Sequence, residues 1–282
     1  MTKELMTIDD IIRAALKEDI GDGDHTTLAT VPADAQGTVK MFAKQSGIVS
    51  GTEIARRVYT LLDPTTKVEI FIHDGEQIEK GDTIMHISGS DRSLLTGERL
   101  ALNFIQRMSG IATFTQQMVK SIEGTSCVIL DTRKTTPCNR IVEKMAVQAG
   151  GAQNHRFGLY DMIMIKDNHV DFAGGIKNAI LSVQDYLKNH NKELKIEIEV
   201  RNFDELNEVI ATGGVHRIML DNFSPNNIKK ALKLIDGKYE TEASGGIGID
   251  NIRRYAETGV DFISVGALTH QIRSLDISIT TL

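Results

Sequence analysis

Residues 195–221 read KIEIEVRNFDELNEVIATGGVHRIMLD, a short apolar strand, a helix and a second apolar strand in succession. The strand candidates are residues 195–200 and 217–221, and the helix candidate covers residues 203–212. Two strands that are joined through a helix are typical of a parallel βα unit. This stretch therefore predicts at least one pair of parallel strands.

The same alternation runs through the chain after Gly124. Strands are predicted at residues 127–131, 162–165, 195–200, 217–221, 239–243 and 261–265, with helices near 139–149, 174–189, 203–212, 225–235 and 249–257. Such a run either closes into a barrel or opens into a doubly wound sheet. No Gly-x-Gly-x-x-Gly follows the first strand, which argues against a dinucleotide-binding Rossmann fold. The small-residue turns at Ser244 and Gly266 follow late strands, where barrels commonly bind phosphate, so a barrel is favoured.

The first part of the chain has a different composition of elements. Helices are predicted at residues 7–18, 53–62 and 93–121, the last broken near Ser109 and Gly110, and β-rich segments at 36–50 and 67–88. The polar segment 22–27 is interpreted as a hydrogen-bonded turn in preference to a metal site. Residues 73–84 have the turn-rich pattern of biotinyl and lipoyl carrier domains, but no carrier lysine triplet is present. We interpret them as a structural β module.

The overall composition limits the function classes. A net charge of −6 argues against a general nucleic-acid-binding surface, which needs a broad basic excess. The N-terminal stretch is acidic and amphipathic without a continuous apolar run, so we expect neither a signal peptide nor a membrane anchor. Cys127 and Cys138 lack metal-ligand spacing, and two free thiols suit a reducing compartment. The expectation is a cytoplasmic enzyme that binds neither nucleic acid nor membrane.

Residues 131–169 form a cationic segment on this acidic chain. From Arg133 to Lys166, both included, there are six lysines and arginines in total and only two acidic residues. A local excess of positive charge suits a small, highly anionic substrate. A solvated basic face is the alternative. It is disfavoured because the charges lie beside Thr-Thr-Pro, Gly-Gly and Asn-His clusters and not at helix-surface spacing.

Nearly every predicted barrel strand ends in a functional group. In chain order these are Asp131, Arg133 and Lys134; Lys166 and Asp167; Glu199 and Arg201; Asp221; Ser244; and Gly266. Barrel enzymes place their chemistry at the carboxyl ends of the strands, so these groups are expected at one mouth. Arginine and lysine bind phosphate and carboxylate, and carboxylates bind Mg²⁺ or sugar hydroxyls. A Schiff-base Lys166, as in barrel aldolases, is a competing hypothesis that leaves the many arginines and histidines unexplained.

Several longer motifs identify a family. They are EDIGDGDHTT (18–27), GERLALNFIQRMSGIAT (97–113), DTRKTTP (131–137), GGAQNHRFGLYD (150–161), IKDNH (165–169), EIEV (197–200), MLDN (219–222), SGGI (244–247) and SVGALTH (264–270). In this order they resemble the quinolinate phosphoribosyltransferases over nearly the whole chain. The resemblance implies an incomplete (β/α) barrel with an N-terminal α/β sandwich domain. It also implies Mg²⁺-dependent transfer of phosphoribose from PRPP to quinolinate, yielding nicotinate mononucleotide, pyrophosphate and CO₂.

The resemblance also assigns domains and partners. It implies an N-terminal domain over residues 1–111, joined by 271–282, and a catalytic barrel over residues 112–270. It further implies a homodimer in which Arg99 reaches the neighbouring subunit's site. From composition alone, Arg99 and Arg107 would be solvent or salt-bridge residues, and the resemblance overrules this for Arg99.

Individual site residues follow from the same motifs. Arg133, His155 and Arg156 resemble the clamp for the quinolinate carboxylates, and Thr132 is assigned to substrate binding with them. Lys134 and Lys166 resemble the lysines between quinolinate and the pyrophosphate of PRPP. Glu199 and Asp221 resemble the carboxylates near the ribose hydroxyls and Mg²⁺. The implied 5′-phosphate site consists of Ser244, Gly245, Gly246, Val265, Gly266 and Ala267.

One departure from the family pattern is visible, and alternatives stay open. After DTRKTTP the family usually continues Gly-Leu-Arg, whereas this chain has Cys138-Asn139-Arg140. A related phosphoribosyltransferase that uses nicotinate, or a paralogue linked to molybdate uptake, is the nearest alternative function. The Arg/His/Arg clamp favours a dicarboxylate. A non-catalytic carrier or scaffold is a further alternative, but it would not keep Lys134, Lys166, Glu199 and Asp221 together.

Overall fold

The structure is a computed structural model that describes residues 6–282. Residues 1–5, which the predicted first domain and the N-terminal stretch include, lie outside the described residues. The helices are α1 (Ile8–Ile20), α2 (His25–Thr30), α3 (Thr52–Leu62), α4 (Asp91–Ser121), α5 (Arg140–Ala149), α6 (Asp167–Ala173), α7 (Ile176–Asn189), α8 (Phe203–Thr212), α9 (Pro225–Ile235), α10 (Ile252–Ala256) and α11 (Ala267–His270). The strands are β1 (Gln36–Ala43), β2 (Gly47–Ile48), β3 (Lys67–Ile70), β4 (Gln77–Ile78), β5 (Thr83–Ser90), β6 (Val128–Leu130), β7 (Ile163–Ile165), β8 (Ile196–Val200), β9 (Arg217–Asp221), β10 (Glu240–Ser244), β11 (Phe262–Ser264) and β12 (Ile277–Thr281). No helix among residues 6–282 has the length and apolar character to cross a membrane.

The chain divides into two compact units. The first comprises Met1–Gln116, Thr135–Gly151 and Leu268–Leu282, and the second comprises Gln117–Lys134 and Ala152–Ala267. In the first unit β12, β1, β5 and β3 form an antiparallel sheet in that order, and β2 pairs with β4. The last strand of the chain thus belongs to the same sheet as the N-terminal strands. Alternate residues such as Met41, Met85 and Ile87 are fully buried, which is the period-2 pattern of a half-buried sheet.

Helix α4 is continuous, so the predicted break at Ser109 and Gly110 is wrong. A Cβ on Gly110 would lie 2.3 Å from the carbonyl oxygen of Arg273, so the glycine permits close packing and does not end the helix. Arg107 is a salt-bridge residue, as its composition-based interpretation expected. Its guanidinium forms an ion pair of 2.7 Å with the buried Glu143 and donates to Thr136 and to the carbonyl of Thr269.

The polar segment 22–27 contains the start of a helix, which corrects the predicted turn. Asp24 is the N-cap of α2, and its carboxylate accepts a hydrogen bond of 3.1 Å from the backbone N–H of Thr27. A capping carboxylate stabilises a helix by satisfying an N–H that has no intrahelical partner. The acidic residue of this segment therefore has a structural role in the fold.

Cys138, the first residue of the departure from the family pattern, has a left-handed backbone. Its φ angle is +64°, in the region where glycine is favoured, and the next helix begins two residues later at Arg140. A non-glycine residue adopts this region at a cost of roughly 1–2 kcal/mol. The turn before α5 therefore forms here with a cysteine at a position whose backbone suits glycine.

The second unit is built on a parallel sheet, as predicted. Its strand order is β6-β11-β10-β9-β8-β7, and every pairing is parallel. The loop after α5 adds a single bridge between Gln153 and Leu130 of β6, which the sequence pattern did not reveal. Within the described part of the chain β6 and β7 are the two ends of the sheet, so the barrel is incomplete. Helix α6 was also missed, because its seven residues were assigned to the loop before α7.

The two faces of the second sheet differ in chemistry. Successive residues of a strand point to opposite faces. In β8 one face carries Ile196, Ile198 and Val200, which are buried and apolar, as on the side of a barrel strand that the helices cover. The other face carries Glu197 and Glu199. The inner face of this barrel is therefore lined by charged residues where apolar ones are usual.

Candidate active site

The second unit gathers the predicted site residues at one edge of its sheet, with the exception of Arg99. Because the strands are parallel, the residues that follow β6, β7, β8, β9, β10 and β11 leave the sheet at the same edge. The register places Ser244 opposite Asp221, at the ends of neighbouring strands. The parallel strand order is thus the arrangement that the predicted strand-end site requires.

The segment after β6 is held by local hydrogen bonds. Asp131 is fully buried, and its carboxylate accepts a hydrogen bond of 2.8 Å from the backbone N–H of His155. The Thr132 hydroxyl accepts a hydrogen bond of 3.0 Å from the backbone N–H of Lys134, a turn that brackets Arg133. Lys134 is exposed, whereas Arg133 is partly buried. This turn thus presents two adjacent cations beside the edge of the sheet.

Arg156 lies close to Arg133. Burial and the positive charge of Arg133 together lower the pKa of the Arg156 guanidinium. One of its nitrogens donates a hydrogen bond of 3.2 Å to the carbonyl oxygen of Met162. Two guanidinium groups that repel each other in a partly buried place form a strong site for an anion, because a carboxylate relieves the repulsion and accepts two hydrogen bonds from each fork.

Lys166, Glu199 and Asp221 form a second group. The ammonium of Lys166 lies 3.6 Å from a carboxylate oxygen of Glu199. Burial raises the pKa of Glu199, Lys166 opposes this, and the negative charges of Asp221 and Asp167 add to the rise. Asp221 also accepts a hydrogen bond of 2.7 Å from the side chain of Asn222. These residues combine a cation with closely spaced carboxylates at the ends of three adjacent strands.

The turn after β10 approaches the end of β9 very closely. Gly245 has a φ angle of +97°, and a Cβ there would lie 2.2 Å from the side-chain oxygen of Asn222. The backbone N–H of Asn222 donates to the carbonyl of Ser244 at 2.8 Å, so the two strand ends are tied together. Gly246 also has a positive φ angle, of +61°. Consecutive residues of this kind form concave turns whose N–H groups bind anions.

The remaining residues of the sequence-based site fall into two classes. Val265, Gly266 and Ala267 follow β11 in the second unit. Arg99 belongs to the first unit and is exposed on α4, and its side chain makes no hydrogen bond or ion pair with any residue of the described range. Arg201 directly follows β8, but it forms ion pairs with Glu205 and Asp171 at 2.7 and 3.1 Å. Its role is structural.

The ring of His155 points into the barrel. Its Nε2 lies 3.0 Å from Glu197 and 3.4 Å from Glu242, both fully buried. Burial alone would lower the pKa of His155, but the hydrogen bonds and charges of the two glutamates outweigh it and raise the pKa to about 9. The backbone N–H of Arg156 lies 2.6 Å from Nδ1 and opposes protonation of that nitrogen. Both ring nitrogens thus have protein partners.

Glu197, Glu242 and Arg217 were missed by the sequence-based prediction. Arg217 donates a hydrogen bond of 3.0 Å to Glu242, and its guanidinium carbon lies 3.9 Å from the centre of the Phe262 ring. The sequence signal for them is that polar residues recur at every second position in IEIEV and ETEAS. Residues two apart on a strand share a face, so Glu197 lies on the same face as Glu199, and Glu242 on the same face as Ser244. Acidic residues at these spacings predict a charged inner face.

Comparisons with known proteins show which family the chain resembles over its length. The family model for the quinolinate phosphoribosyl transferase N-terminal domain matches residues 24–109, and that for the C-terminal domain matches residues 111–280. A chloroplastic nicotinate-nucleotide pyrophosphorylase [carboxylating] of Arabidopsis thaliana is 44% identical, over 95% of this chain and 81% of its own length. A probable enzyme of the same name from Bacillus subtilis is 42% identical, over 93% and 89%. The crystal structure of NadC from Streptococcus pyogenes superposes with a TM-score of 0.92 at 40% identity, covering 100% of both chains. Because the two family models cover most of the chain in consecutive segments, this protein belongs to the quinolinate phosphoribosyltransferase family.

Proposed function

We propose that this enzyme transfers phosphoribose from PRPP to quinolinate and releases CO₂, giving nicotinate mononucleotide and pyrophosphate for NAD biosynthesis. The observation that carries the proposal is the Arg133–Arg156 pair, in which the charge of one guanidinium lowers the pKa of the other. Quinolinate has two adjacent carboxylates, and two adjacent guanidinium groups match them in charge and geometry. The names of the Arabidopsis and Bacillus relatives describe the same reaction, written from its product.

The chain's own residues supply position and charge in this reaction. Arg133 and Arg156, with His155 and Thr132 beside them, hold the carboxylates so that the pyridine nitrogen faces C1 of the ribose. Lys134 and Lys166 stabilise the pyrophosphate as the bond from C1 to oxygen breaks. The ring nitrogen becomes a pyridinium and draws electrons from C2. The bond from C2 to its carboxylate then breaks, CO₂ leaves, and C2 takes up a proton.

Glu199 and Asp221 fit a role beside Mg²⁺ and the ribose hydroxyls. Their oxygens are the ligand type that Mg²⁺ prefers, and part of the rise in the pKa of Glu199 comes from Asp221, a repulsion that a cation would relieve. Mg²⁺ held there with PRPP would neutralise the charge of the departing pyrophosphate. The 5′-phosphate is assigned to Ser244, Gly245 and Gly246, with Val265, Gly266 and Ala267 across from them, because turns of this kind donate backbone N–H groups to phosphate.

Steady-state assays with purified protein, PRPP and Mg²⁺ test the proposal. Quinolinate should be converted to nicotinate mononucleotide and CO₂ in equal amounts, and nicotinate should react at least about 100-fold more slowly, because it leaves one arginine without a carboxylate. Mass detection of the nucleotide and of labelled CO₂ provides the readout. A preference for nicotinate, or nucleotide formation without CO₂, would reject quinolinate as the substrate.

We also infer a homodimer in which Arg99 completes the partner's site. The support is that Arg99 is an exposed arginine without an ion pair in the described range, in a motif of the family. Arg99→Ala and Lys134→Ala proteins should each be inactive. Mixing them should restore up to about one quarter of the wild-type activity, because random exchange makes half of the dimers mixed and each mixed dimer has one intact site. Absence of recovery, with exchange shown by mass spectrometry of tagged chains, would contradict a shared site.

We infer a cytoplasmic location from the two cysteines. Cys127 is buried and Cys138 is exposed, and both are free thiols, which suits a reducing cytoplasm.

A further inference from the structure

The interior of the second unit contains a charged core cluster, defined here as His155, Glu197, Arg217 and Glu242. Both glutamates are fully buried, and His155 and Arg217 are each 9% exposed. Glu197 and Glu242 lie on the inner face of the sheet, each two residues before Glu199 and Ser244, and Arg217 lies four residues before Asp221. The cluster therefore lies directly beneath the proposed active site.

Its contacts form a continuous chain. Nε2 of His155 lies 3.0 Å from an oxygen of Glu197 and 3.4 Å from an oxygen of Glu242. The same oxygen of Glu242 accepts a hydrogen bond of 3.0 Å from Arg217. Arg217 also donates to Glu240 and stacks on Phe262. Nε2 of His155 thus lies within ion-pair distance of two buried carboxylates, and Arg217 holds one of these carboxylates by a hydrogen bond.

Stability does not explain such a cluster. Buried ion pairs are often replaceable by well-packed apolar residues without loss of stability, and barrel interiors are normally filled by Val, Ile and Leu. Metal binding does not explain it either. The imidazole and two carboxylates are close enough to share an ion, but His155 and Arg217 already place two positive charges against the two carboxylates. The charge of a further cation there would be repelled.

The backbone and the Nδ1 atom of His155 connect the ring to Arg156, a residue of the proposed quinolinate clamp. Its backbone N–H donates to Asp131 at 2.8 Å, and its Nδ1 accepts the backbone N–H of Arg156 at 2.6 Å. Arg156 in turn donates to the carbonyl of Met162. The position of the ring therefore determines the position of the Arg156 backbone, from which the guanidinium extends toward Arg133.

We propose that Glu197 and Glu242 are positioning residues for quinolinate, which hold the His155 ring so that Arg156 is aligned with Arg133. They act through His155 and do not contact the substrate. The inference rests on the proposed role of Arg156 in binding quinolinate. Its consequence is selective: replacing the glutamates should raise the KM for quinolinate more than the KM for PRPP, because Glu197 and Glu242 adjoin His155, whereas the Lys166–Glu199 ion pair and the turn after Ser244 are held by contacts of their own.

Isosteric glutamines test this inference. Glu197→Gln and the double variant Glu197→Gln/Glu242→Gln preserve volume but remove the negative charges that face the His155 ring. We expect the KM for quinolinate to rise about fivefold in the single variant and tenfold or more in the double variant. The KM for PRPP should stay within about twofold of wild type. The midpoint of urea unfolding should fall in both variants, because removing one member of a buried charge pair leaves its partner uncompensated, so the difference between the two KM values is the decisive readout.

A matched control separates positioning from packing. Met219 is a buried residue on the same inner face, opposite Glu199 and Glu242 in the strand register. Met219→Leu conserves volume and should leave both KM values unchanged. Equal rises in both KM values in the glutamine variants, or a rise that Met219→Leu reproduces, would overturn the inference. If the double variant does not fold, Glu242→Gln alone serves, with the fivefold expectation.

The Arg156→Ala variant distinguishes failure of the proposed role of Arg156 in binding quinolinate from failure of the proposed positioning role of the two glutamates. If it raises the KM for quinolinate while the glutamine variants stay within twofold of wild type, the clamp stands and the positioning inference is wrong. If Arg156→Ala itself leaves that KM unchanged, the proposed role of Arg156 is wrong and the positioning inference falls with it.

Discussion

Arg156→Ala is expected to lower kcat/KM for quinolinate by about 10² to 10³-fold, with the KM for PRPP nearly unchanged. Truncating one member of a buried, hydrogen-bonded charge pair costs about 2–5 kcal/mol, and about 1.4 kcal/mol corresponds to a factor of ten. Arg156 is partly buried, and its pKa is lowered by burial and by Arg133. Without it the substrate keeps one guanidinium for two carboxylates. Initial rates over a matrix of both substrate concentrations provide the measurement.

Two further variants make this result specific. Arg156→Lys keeps the charge but loses the planar fork, so an intermediate loss of about tenfold or more is expected. Arg201→Ala is the matched control, because Arg201 is also a strand-end arginine of the second unit but is used in exposed ion pairs with Glu205 and Asp171. Exposed ion pairs contribute about 0–1 kcal/mol, so this variant should remain active. A loss in Arg201→Ala as large as that in Arg156→Ala would contradict the assignment.

The architecture of the second unit was predictable because its signal is local and repeated. Each strand is a short apolar run, each is followed by an amphipathic helix, and observed strands such as Arg217–Asp221 coincide with the predicted ranges. Parallel topology then brings the strand ends to one edge without further information. The bridge at Gln153 was not predictable, because one residue pair leaves no periodic pattern.

The interior of the site was harder to predict than its rim. Lys166 and Asp221 lie at strand ends, where their position in the sequence reveals them. Glu197 and Glu242 lie within strands, and their pairing depends on which residues of β8 and β10 face each other across the barrel. That depends on tertiary geometry. A spacing of two alone is equally typical of a solvent-exposed strand face.

Gly245→Ala is expected to destabilise the protein by roughly 2–5 kcal/mol and to raise the KM for PRPP at least about tenfold. Two separate penalties add. A left-handed backbone costs a non-glycine residue about 1–2 kcal/mol, and forcing an atom into a packed site costs a further 1–3 kcal/mol. The new Cβ would lie 2.2 Å from the side-chain oxygen and 3.0 Å from the backbone nitrogen of Asn222. Since Asn222 donates to Asp221, the strain also reaches a carboxylate assigned to the ribose.

Substitutions at two neighbouring glycines separate the backbone penalty from the packing penalty. Gly248 lies in the same loop with open space around its Cβ position and no left-handed backbone, so Gly248→Ala should change neither stability nor KM beyond about twofold. Gly246 has a φ angle of +61° but open space, so Gly246→Ala should show the backbone penalty alone. Urea unfolding should show the smallest loss of stability in Gly248→Ala, a larger loss in Gly246→Ala and the largest in Gly245→Ala. If Gly245→Ala equals Gly246→Ala in both stability and KM, Asn222 moves aside freely, and the close approach of the two strand ends does not shape the phosphate site.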